Sequence, residues 1–328
     1  MDSFVFAVNA VSPIILMVAV GYCLKKAKLI DQSLAKAMNK LVFRLFLPTM
    51  LFMNVYNIQD VGTMDFRYIL YGILAVLTIF AIAIPAVMLL EKHNGRRGVL
   101  LQAAFRSNYA LIGIPLAQSL FGNEGAVIAT VLSAAIIPLF NVLAVISLTV
   151  FRAGGEKPSV KQILLGIIKN PLIRSIALGL VLLVIRAVFT KRGIAFRLTD
   201  ITPLFTVLGC LSDIATPLAL LVLGAQFEFS TVAALKREIL FGTLMRTVIT
   251  PILGIGTAYL FFSRVFSGAH FAAFVAMFAT PVAVSSVPMA QEMDGDAELA
   301  GQLVVWTTLV SAVTLFLISY LLKAIGVF

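Results

Sequence analysis

Long runs of apolar residues, separated by short polar stretches, fill almost the whole of this 328-residue chain. A helix needs about 20 consecutive apolar residues to cross the hydrocarbon core of a bilayer. The runs are continuous rather than alternating, which argues against a transmembrane β-barrel. Because 61% of the residues are hydrophobic and only 12% are charged, a water-soluble fold could not bury the apolar surface. The sequence therefore predicts an all-α polytopic membrane protein and excludes a soluble enzyme.

The apolar runs predict ten transmembrane helices, named spans 1 to 10 in chain order. Their predicted ranges are 4–24, 37–56, 68–90, 98–121, 125–151, 170–189, 203–227, 239–262, 270–292 and 299–322. The loops after spans 1, 3, 5 and 7 hold 14 of the 25 Lys and Arg residues, and the opposite face holds seven. Because cytoplasmic loops are enriched in Lys and Arg, both termini are expected outside the cytoplasm, in an inner or plasma membrane. The loop between spans 6 and 7 departs from this rule with four basic residues.

The polar and reactive residues narrow the function class further. The net charge of +10 does not indicate a nucleic-acid partner, because the basic residues lie mostly in short loops. Cys23 and Cys210 lie in apolar runs without a CxxC motif or a His cluster, so no metal, disulfide or cofactor is expected. The sequence contains neither HExxH nor GxxxxGK[ST], which argues against an intramembrane enzyme and a nucleotide-driven pump. The expected partners are the lipid bilayer and a small solute.

Two pairs of proline motifs recur about half a chain apart. Residues 115–118 and Gly122 in span 4 share the pattern Pro-x-Ala-Gln-x-x-x-Gly with residues 288–291 and Gly295 in span 9. Prolines in spans 2 and 7 form the second pair. A half with five spans crosses the membrane an odd number of times, so the second half must be inverted. The predicted organisation is a first five-helix repeat, a short cytoplasmic linker and a second five-helix repeat, over residues 1–151, 152–169 and 170–328.

Spans 4 and 9 are the predicted site because they combine helix breakers with polar side chains. Proline removes a backbone donor and glycine adds backbone freedom, so the two together can interrupt a helix. An interruption at membrane depth is tolerated only where it is buried in protein or lines a cavity. The N-terminal ends of half-helices carry partial positive charge, and two such ends near the midplane would attract a carboxylate. The predicted substrate-binding residues are Asn108, Tyr109, Gly113, Ile114, Pro115, Pro281, Ser285, Ser286 and Pro288.

The helix breakers and polar residues of these spans also allow other interpretations. The prolines would also be explained by kinks in continuous helices, with Ser and Asn joining neighbouring helices, although paired kinks in both halves favour the site. Gln118 and Gln291 follow the expected breaks by about one turn and are predicted to support the site. Asp213, Arg246 and Arg106 are ionisable residues inside predicted spans, a costly position that is often functional. They serve either structural pairing or the coupling of an ion or proton.

Several stretches resemble the auxin efflux carrier family of secondary transporters, in order and over essentially the whole chain. The similar stretches are residues 12–22, 47–48, 108–116, 170–171, 216–220 with 224–225, and 281–290. The resemblance implies a scaffold bundle from spans 1, 2, 6 and 7 that also forms a homodimer. It further implies a transport bundle from spans 3–5 and 8–10, with crossed broken helices, that moves as an elevator. By this likeness Asn108 contacts substrate, and Gly113 and Pro115 form the break in span 4.

The resulting hypothesis is an alternating-access carrier for small organic anions rather than an enzyme. The resemblance implies mono- or dicarboxylates such as malate, malonate or an auxin-like anion. The chain departs from the family at Ser285, where many members have an asparagine, and it lacks the long loop of many plant carriers. Two alternatives remain: a sodium- or proton-coupled organic-anion symporter of the bile-acid type, and an anion channel.

Overall fold

A computed structural model of the chain describes residues 2–58, 66–152 and 159–328, and the described part is helical. The α-helices in chain order are α1 (Asp2–Lys26), α2 (Gln32–Leu41), α3 (Leu47–Tyr56), α4 (Phe66–Leu90), α5 (Asn94–Phe105), α6 (Ile114–Val150), α7 (Val160–Lys169), α8 (Pro171–Lys191), α9 (Thr202–Gln226), α10 (Ser230–Ala234), α11 (Lys236–Leu244), α12 (Thr257–Phe262), α13 (Gly268–Phe278), α14 (Ser286–Glu292) and α15 (Ala297–Ala324). Within the described residues there is no β-strand, and a single isolated β-bridge is present. The all-α prediction is confirmed for this part of the chain.

Several of these helices are joined by single π-helical turns, which insert a wider turn without ending the helix. Such turns occupy Val42–Phe46, Tyr109–Gly113, Met245–Ile249 and Ile252–Gly256. With these turns included, six helical stretches in the described residues are long and apolar enough to cross a membrane. They are Phe66–Leu90, Tyr109–Val150, Pro171–Lys191, Thr202–Gln226, Lys236–Phe262 and Ala297–Ala324.

The helix α6 contains a sharp kink that divides predicted span 4 from predicted span 5. Phe121 and Gly122 have non-helical backbone angles, and Gly122 has a φ of +61°. A positive φ is accessible to glycine because it has no Cβ. Nothing lies within 4 Å of the position that a Cβ on Gly122 would occupy. The positive φ, and not a lack of space for a side chain, therefore explains why residue 122 is a glycine.

The predicted linker is partly a helix. Residues 153–158 of the linker lie outside the described residues, but α7 occupies its second part. The hydroxyl of Ser159 accepts a hydrogen bond from the backbone N–H of Gln162, and the Gln162 side chain accepts one from the Ser159 backbone. This reciprocal capping box satisfies two backbone donors at the start of a helix and explains why α7 forms. Asn170 then caps α8, with Pro171 at its first position.

Glycines set the closest helix contacts in the part of the fold that contains α1, α3, α8 and α9. A Cβ on Gly21 of α1 would lie 2.1 Å from the carbonyl oxygen of Leu221 in α9. A Cβ on Gly224 of α9 would lie 2.0 Å from the carbonyl oxygen of Val18 in α1. Small residues allow membrane helices to approach each other through their backbones. These two glycines therefore hold α1 and α9 in direct contact.

The helix α13 lies at the centre of the other part of the fold. Every residue from Phe271 to Phe278 is buried, and α13 packs across α6. A helix that is apolar on all sides lies either in a protein interior or in lipid, and the burial of α13 places it in the interior. Because the chain continues within the interior after α13 ends, residues 279–284 are buried as well.

Candidate functional site

Predicted spans 4 and 9 are both interrupted in the interior of the fold. The helix α5 ends at Phe105, Arg106 is extended with φ −86° and ψ 110°, and the helix resumes at Tyr109. In span 9, α13 ends at Phe278 and α14 begins at Ser286. We call residues 106–108 and 279–285 together the crossover.

The two interrupted segments cross and pair through their backbones. Asn108 donates its backbone N–H to the carbonyl oxygen of Pro281 at 2.8 Å, and Ala283 donates to the carbonyl oxygen of Arg106 at 3.4 Å. These bonds form the antiparallel bridge between Ser107 and Val282. Backbone groups that leave a helix in an apolar interior need new partners. Each interruption supplies the partners that the other one lacks.

The break in span 4 lies earlier than the sequence predicts. Gly113 and Pro115 were expected to form it, but both are helical and follow the break at Arg106 by more than one turn. Pro115 lies just after the π-helical turn Tyr109–Gly113, so its missing N–H falls next to a wider turn of a continuous helix and not at the break. Gly113 instead allows close packing, because a Cβ there would lie 2.8 Å from the carbonyl oxygen of Ala276 in α13.

Arg246 closes the C-terminal ends of the two helices that lead into the crossover. It is fully buried. Its guanidinium donates to the carbonyl oxygens of Phe105 at 3.1 Å, Met277 at 2.9 Å and Thr280 at 2.8 Å, and to that of Ala104 at 3.5 Å. Helix C-termini carry unpaired carbonyls and partial negative charge. Arg246 therefore satisfies both helix ends and has a structural role at the site.

Arg106 lies within the crossover and bonds to side chains from three elements. It is 3% exposed. Its Nη2 donates to Ser285 Oγ at 2.8 Å and to Asn141 Oδ1 of α6 at 2.9 Å. Its Nη1 donates to Met289 Sδ of α14 at 2.7 Å and, at 3.4 Å, to Gln102 Oε1 of α5. Arg106 thus connects the two breaks with α6.

Three polar side chains around the crossover have buried atoms without a hydrogen-bond partner. They are Asn108 Nδ2, Ser107 Oγ and Ser286 Oγ, on residues that are 8%, 4% and 1% exposed. Buried polar atoms are nearly always paired, because leaving one unpaired costs about 1–3 kcal/mol. Three such atoms at one crossing indicate a place where a polar ligand or ordered water would complete the hydrogen bonding.

The two helices that begin at the crossover differ in whether their first backbone N–H groups have hydrogen-bond partners. The helix that resumes at Tyr109 continues through α6, and Asn108 before it makes no side-chain cap. Its first backbone N–H groups therefore point toward the crossover without helical partners. The helix α14 has only seven residues, and the N–H groups of Ser286 and Val287 bond back to Ala283 and Val284. The helix start with free backbone N–H groups is thus on the span 4 side.

The other residues of the predicted site take supporting positions. Tyr109 is buried and its hydroxyl donates to the carbonyl oxygen of Ala129 at 2.9 Å, away from the backbone pairing. Ile114 and Pro115 begin α6, Pro281 pairs with Asn108, and Pro288 is buried in α14. Gln118 is exposed on α6.

Gln291 connects α14 to two helices of the glycine-packed part of the fold. Its Oε1 accepts from Asn39 Nδ2 of α2 at 2.8 Å and from Gln226 Nε2 of α9 at 3.1 Å. Asp213, by contrast, lies on an exposed face of α9. Among the described ion pairs none involves Asp213, and neither buried arginine is its partner.

A cavity of about 280 Å³ opens beside α14. Val287 and Gln291 of α14 line one side of it, and Gln302 of α15 lines another. Lys25 of α1 pairs with Glu228 at its edge. Gln226 of α9 lines it as well, so the cavity lies between α9 and α14, and none of the described residues that line it belongs to the crossover.

Sequence reasoning missed several residues that build the crossover. Asn141, Gln102 and Met289 hold the Arg106 guanidinium, and Thr307 Oγ1 accepts from the backbone N–H of Val282 at 3.1 Å. A signal existed for two of them: Gln102 precedes Arg106 by one helical turn, and Asn141 interrupts an apolar run. Met289 and Thr307 carry no comparable signal.

Comparison with known proteins extends the similarity over nearly the full chain. The profile of a family described as "Membrane transport protein" matches residues 6–157 and 156–319. A protein of Methanothermobacter thermautotrophicus described as an uncharacterized transporter is 24% identical over 325 residues. That alignment covers 97% of this chain and 99% of the relative. The similarity therefore includes both interrupted helices and is not confined to one segment.

Proposed function

This chain belongs to the membrane transport protein family, and from that premise we propose that it is a secondary transporter of small organic anions. The substrates would be mono- or dicarboxylates such as malate, malonate or an auxin-like anion. The single observation that carries the proposal is the crossover, where Asn108 Nδ2 and Ser286 Oγ are buried polar atoms without partners. A carboxylate accepts hydrogen bonds only, so an amide N–H and a hydroxyl suit it as donors.

In this proposal the substrate lies between the breaks of spans 4 and 9. Asn108 would donate its free side-chain N–H to the substrate, and the helix start at Tyr109 would supply backbone N–H groups. Ser285 and Ser286 would contribute from the second break. Gly113, Ile114, Pro115, Pro281 and Pro288 would shape the backbone on either side of the site. Gln118 and Gln291 would support it from outside.

The proposed topology is ten spans in two inverted five-helix repeats over residues 1–151 and 170–328. The packing of equivalent helices supports it: α1 (span 1) packs on α9 (span 7), and α8 (span 6) packs on α3 (span 2). The two family matches also meet at residues 156–157, within the predicted linker. Both termini would then lie on the outer side of an inner or plasma membrane.

Transport would occur by an elevator motion of one bundle past the other. Spans 1, 2, 6 and 7 would form the scaffold and a homodimer contact, and spans 3–5 and 8–10 would carry the crossover. The bonds from Gln291 to Asn39 and Gln226 lie where these two bundles meet. The cavity is lined by Gln226 of α9 and Gln291 of α14, so it lies between the two proposed bundles. Membrane potential alone would favour anion export, by about 2.3 kcal/mol per charge per 100 mV.

The test is flux of radiolabelled mono- and dicarboxylates in proteoliposomes that contain the purified protein. Asn108→Ala is expected to reduce flux strongly, because it removes the free side-chain donor. Asn123→Ala is the matched control, since Asn123 is exposed on α6 away from the crossover. Equal flux in wild type and Asn108→Ala would reject the site.

The same assay separates the alternatives. A carrier gives flux that saturates with substrate concentration, whereas an anion channel gives flux that does not saturate and large single-channel currents. Dependence of flux on a sodium or proton gradient would identify a coupled symporter of the bile-acid type.

A further inference from the structure

The guanidinium of Arg106 is a buried charge without a counter-charge. Its hydrogen-bond acceptors are a hydroxyl, two side-chain amides and a thioether, all of them uncharged. Among the residues that the structure describes, no carboxylate lies within 4.0 Å of it. A buried charge that lacks a charged partner costs several kcal/mol. We propose that Arg106 binds the carboxylate of the substrate at the crossover and that this site accepts an anion with a single negative charge.

A comparison with the second buried arginine shows why Arg106 is different. Arg246 donates to four carbonyl oxygens at the ends of α5 and α13. Helix C-termini carry partial negative charge, which offsets the positive charge of the guanidinium. Arg106 caps α5 through its backbone, but in the described part of the chain its guanidinium donates only to neutral side chains and to no carbonyl oxygen at a helix end. Of the two buried guanidinium groups, Arg106 is therefore the one that needs an anion.

The backbone places Arg106 on the same side as the unpartnered amide of Asn108. Arg106 has extended backbone angles, and Ser107 forms a β-bridge. In an extended segment, residues two positions apart project from the same face. Asn108 Nδ2, which has no partner, and the guanidinium thus share one face of the segment.

The contacts of Arg106 also leave donors for a ligand. Its Nη1 bonds to a thioether sulfur, which is a weak acceptor, and to Gln102 at 3.4 Å, which is a long hydrogen bond. No acceptor among the described residues is recorded for its Nε–H. The strong bonds from Nη2 to Ser285 and Asn141 hold the side chain in place. A carboxylate oxygen can replace the weak acceptors of Nη1 and form a charge-assisted hydrogen bond there, while Nη2 keeps its bonds to Ser285 and Asn141.

The number of unpaired positive charges at the crossover determines how many negative charges the bound anion carries. One carboxylate neutralises the one guanidinium that lacks a counter-charge. A second carboxylate on the same ligand would meet hydroxyls and amides but no second free cation among the described residues of the crossover. A charge left unpaired at membrane depth is strongly disfavoured. The inference rests on the proposed function for the location of the ligand, and it selects monocarboxylates within that substrate class.

Binding is tested by thermal unfolding of the purified full-length protein in detergent. The probes are propionate, pyruvate and phenylacetate, with malonate and succinate as dicarboxylates and phenylacetamide as the neutral analogue. Wild type is expected to gain thermal stability with at least one monocarboxylate and none with phenylacetamide. Arg106→Gln is expected to lose that gain and to unfold, without ligand, at the wild-type temperature or above it. Arg106→Lys keeps the charge but lacks the second nitrogen that holds the group against Ser285 and Asn141, and it should bind at least tenfold more weakly.

Arg44→Gln is the matched control, because Arg44 is largely exposed and its loss removes the same charge. Ligand stabilisation that persists in Arg106→Gln would overturn the proposal, and so would a wild type that no monocarboxylate stabilises. Failure of both Arg106 variants to fold would assign Arg106 a structural role and would also overturn it. A larger shift with a dicarboxylate than with every monocarboxylate would reject the single charge. Binding through Arg106 without flux in proteoliposomes would reject the transporter and leave the binding site standing.

Discussion

Asn108 donates its backbone N–H to the carbonyl oxygen of Pro281 at 2.8 Å, across 173 positions of sequence. The bond joins two helices at the places where each is interrupted. It also holds the side chain of Asn108, whose Nδ2 is free, beside the segment that contains Ser285. The backbone pairing thus builds the candidate site and stabilises the crossing at the same time.

Replacement of Arg246 by Gln is expected to destabilise the protein strongly. The change leaves the carbonyls of α5 and α13 without their donor, and each buried unpaired group costs about 1–3 kcal/mol. We expect a loss of more than about 3 kcal/mol in the free energy of unfolding. Thermal unfolding in detergent measures it, with exposed Arg44→Gln as the control. An unchanged melting temperature would show that these hydrogen bonds contribute little.

Two glycines of α9 are expected to respond in opposite directions to alanine. In Gly224→Ala the new Cβ would lie 2.0 Å from the carbonyl oxygen of Val18, so α1 and α9 must separate, at a cost of about 1–3 kcal/mol. In Gly209→Ala nothing lies within 4 Å, and the helix gains up to about 1 kcal/mol. Thermal unfolding of the two variants is the measurement. Equal melting temperatures would contradict the direct contact between α1 and α9.

Glu91, in the loop between α4 and α5, should make stability depend on acid pH. Burial raises the pKa of its carboxyl, but hydrogen bonds from the backbone N–H and ring of His93, with the Glu238 side chain and from the backbone N–H of Lys92 lower the pKa overall to about 2. Because the pKa is lowered in the folded state, the contribution to stability is complete above about pH 4.5 and disappears as the pH falls toward 2.

Glu91→Gln is therefore expected to lower the melting temperature at pH 7, by about 3 °C. The difference from wild type should shrink between pH 4.5 and the lowest pH at which the protein stays soluble. Exposed Glu124→Gln is the control and should differ little from wild type at every pH. A difference at pH 7 that stays constant into acid would mean that packing, and not charge, explains the effect.

The proposed elevator motion requires the bond between Asn39 and Gln291 to break in each cycle. We expect that linking Asn39→Cys to Gln291→Cys with a short, reducible bifunctional thiol reagent stops transport, and that reduction restores it. The variant is made with Cys23 and Cys210 replaced by Ser, because both are exposed and would react. Flux in proteoliposomes before and after reduction is the measurement. Undiminished flux in the linked protein would exclude relative motion of α2 and α14.

Much of the fold could be predicted because apolar runs of membrane length leave little choice of structure. Each predicted span coincides with helical segments, and the kink at Gly122 lies at the predicted boundary between spans 4 and 5. The helix α7 was missed because it is short and lies next to polar residues, so its capping box was not recognised.

The candidate site was only partly predictable. Asn108, Pro281 and Ser285 were found because helix breakers and polar residues stand out in an apolar run. The break in span 4 was placed too late, since Gly113 serves the contact with α13 rather than the interruption. The separate roles of Arg106 and Arg246 could not be read from the sequence, because both are arginines inside predicted spans.

Hydrophobicity is a local property of the chain, and it was enough to establish the helical class, the approximate helix ranges and the two regions that contain breaks. The pairing of those breaks depends on how distant helices cross, and no local pattern encodes a crossing. The same holds for the charge balance: Arg246 meets helix ends and Arg106 meets neutral side chains, a distinction that exists only once α5, α6, α13 and α14 are assembled. Burial then makes the unpaired charge and the unpaired donors costly, and that cost is what points to an anion.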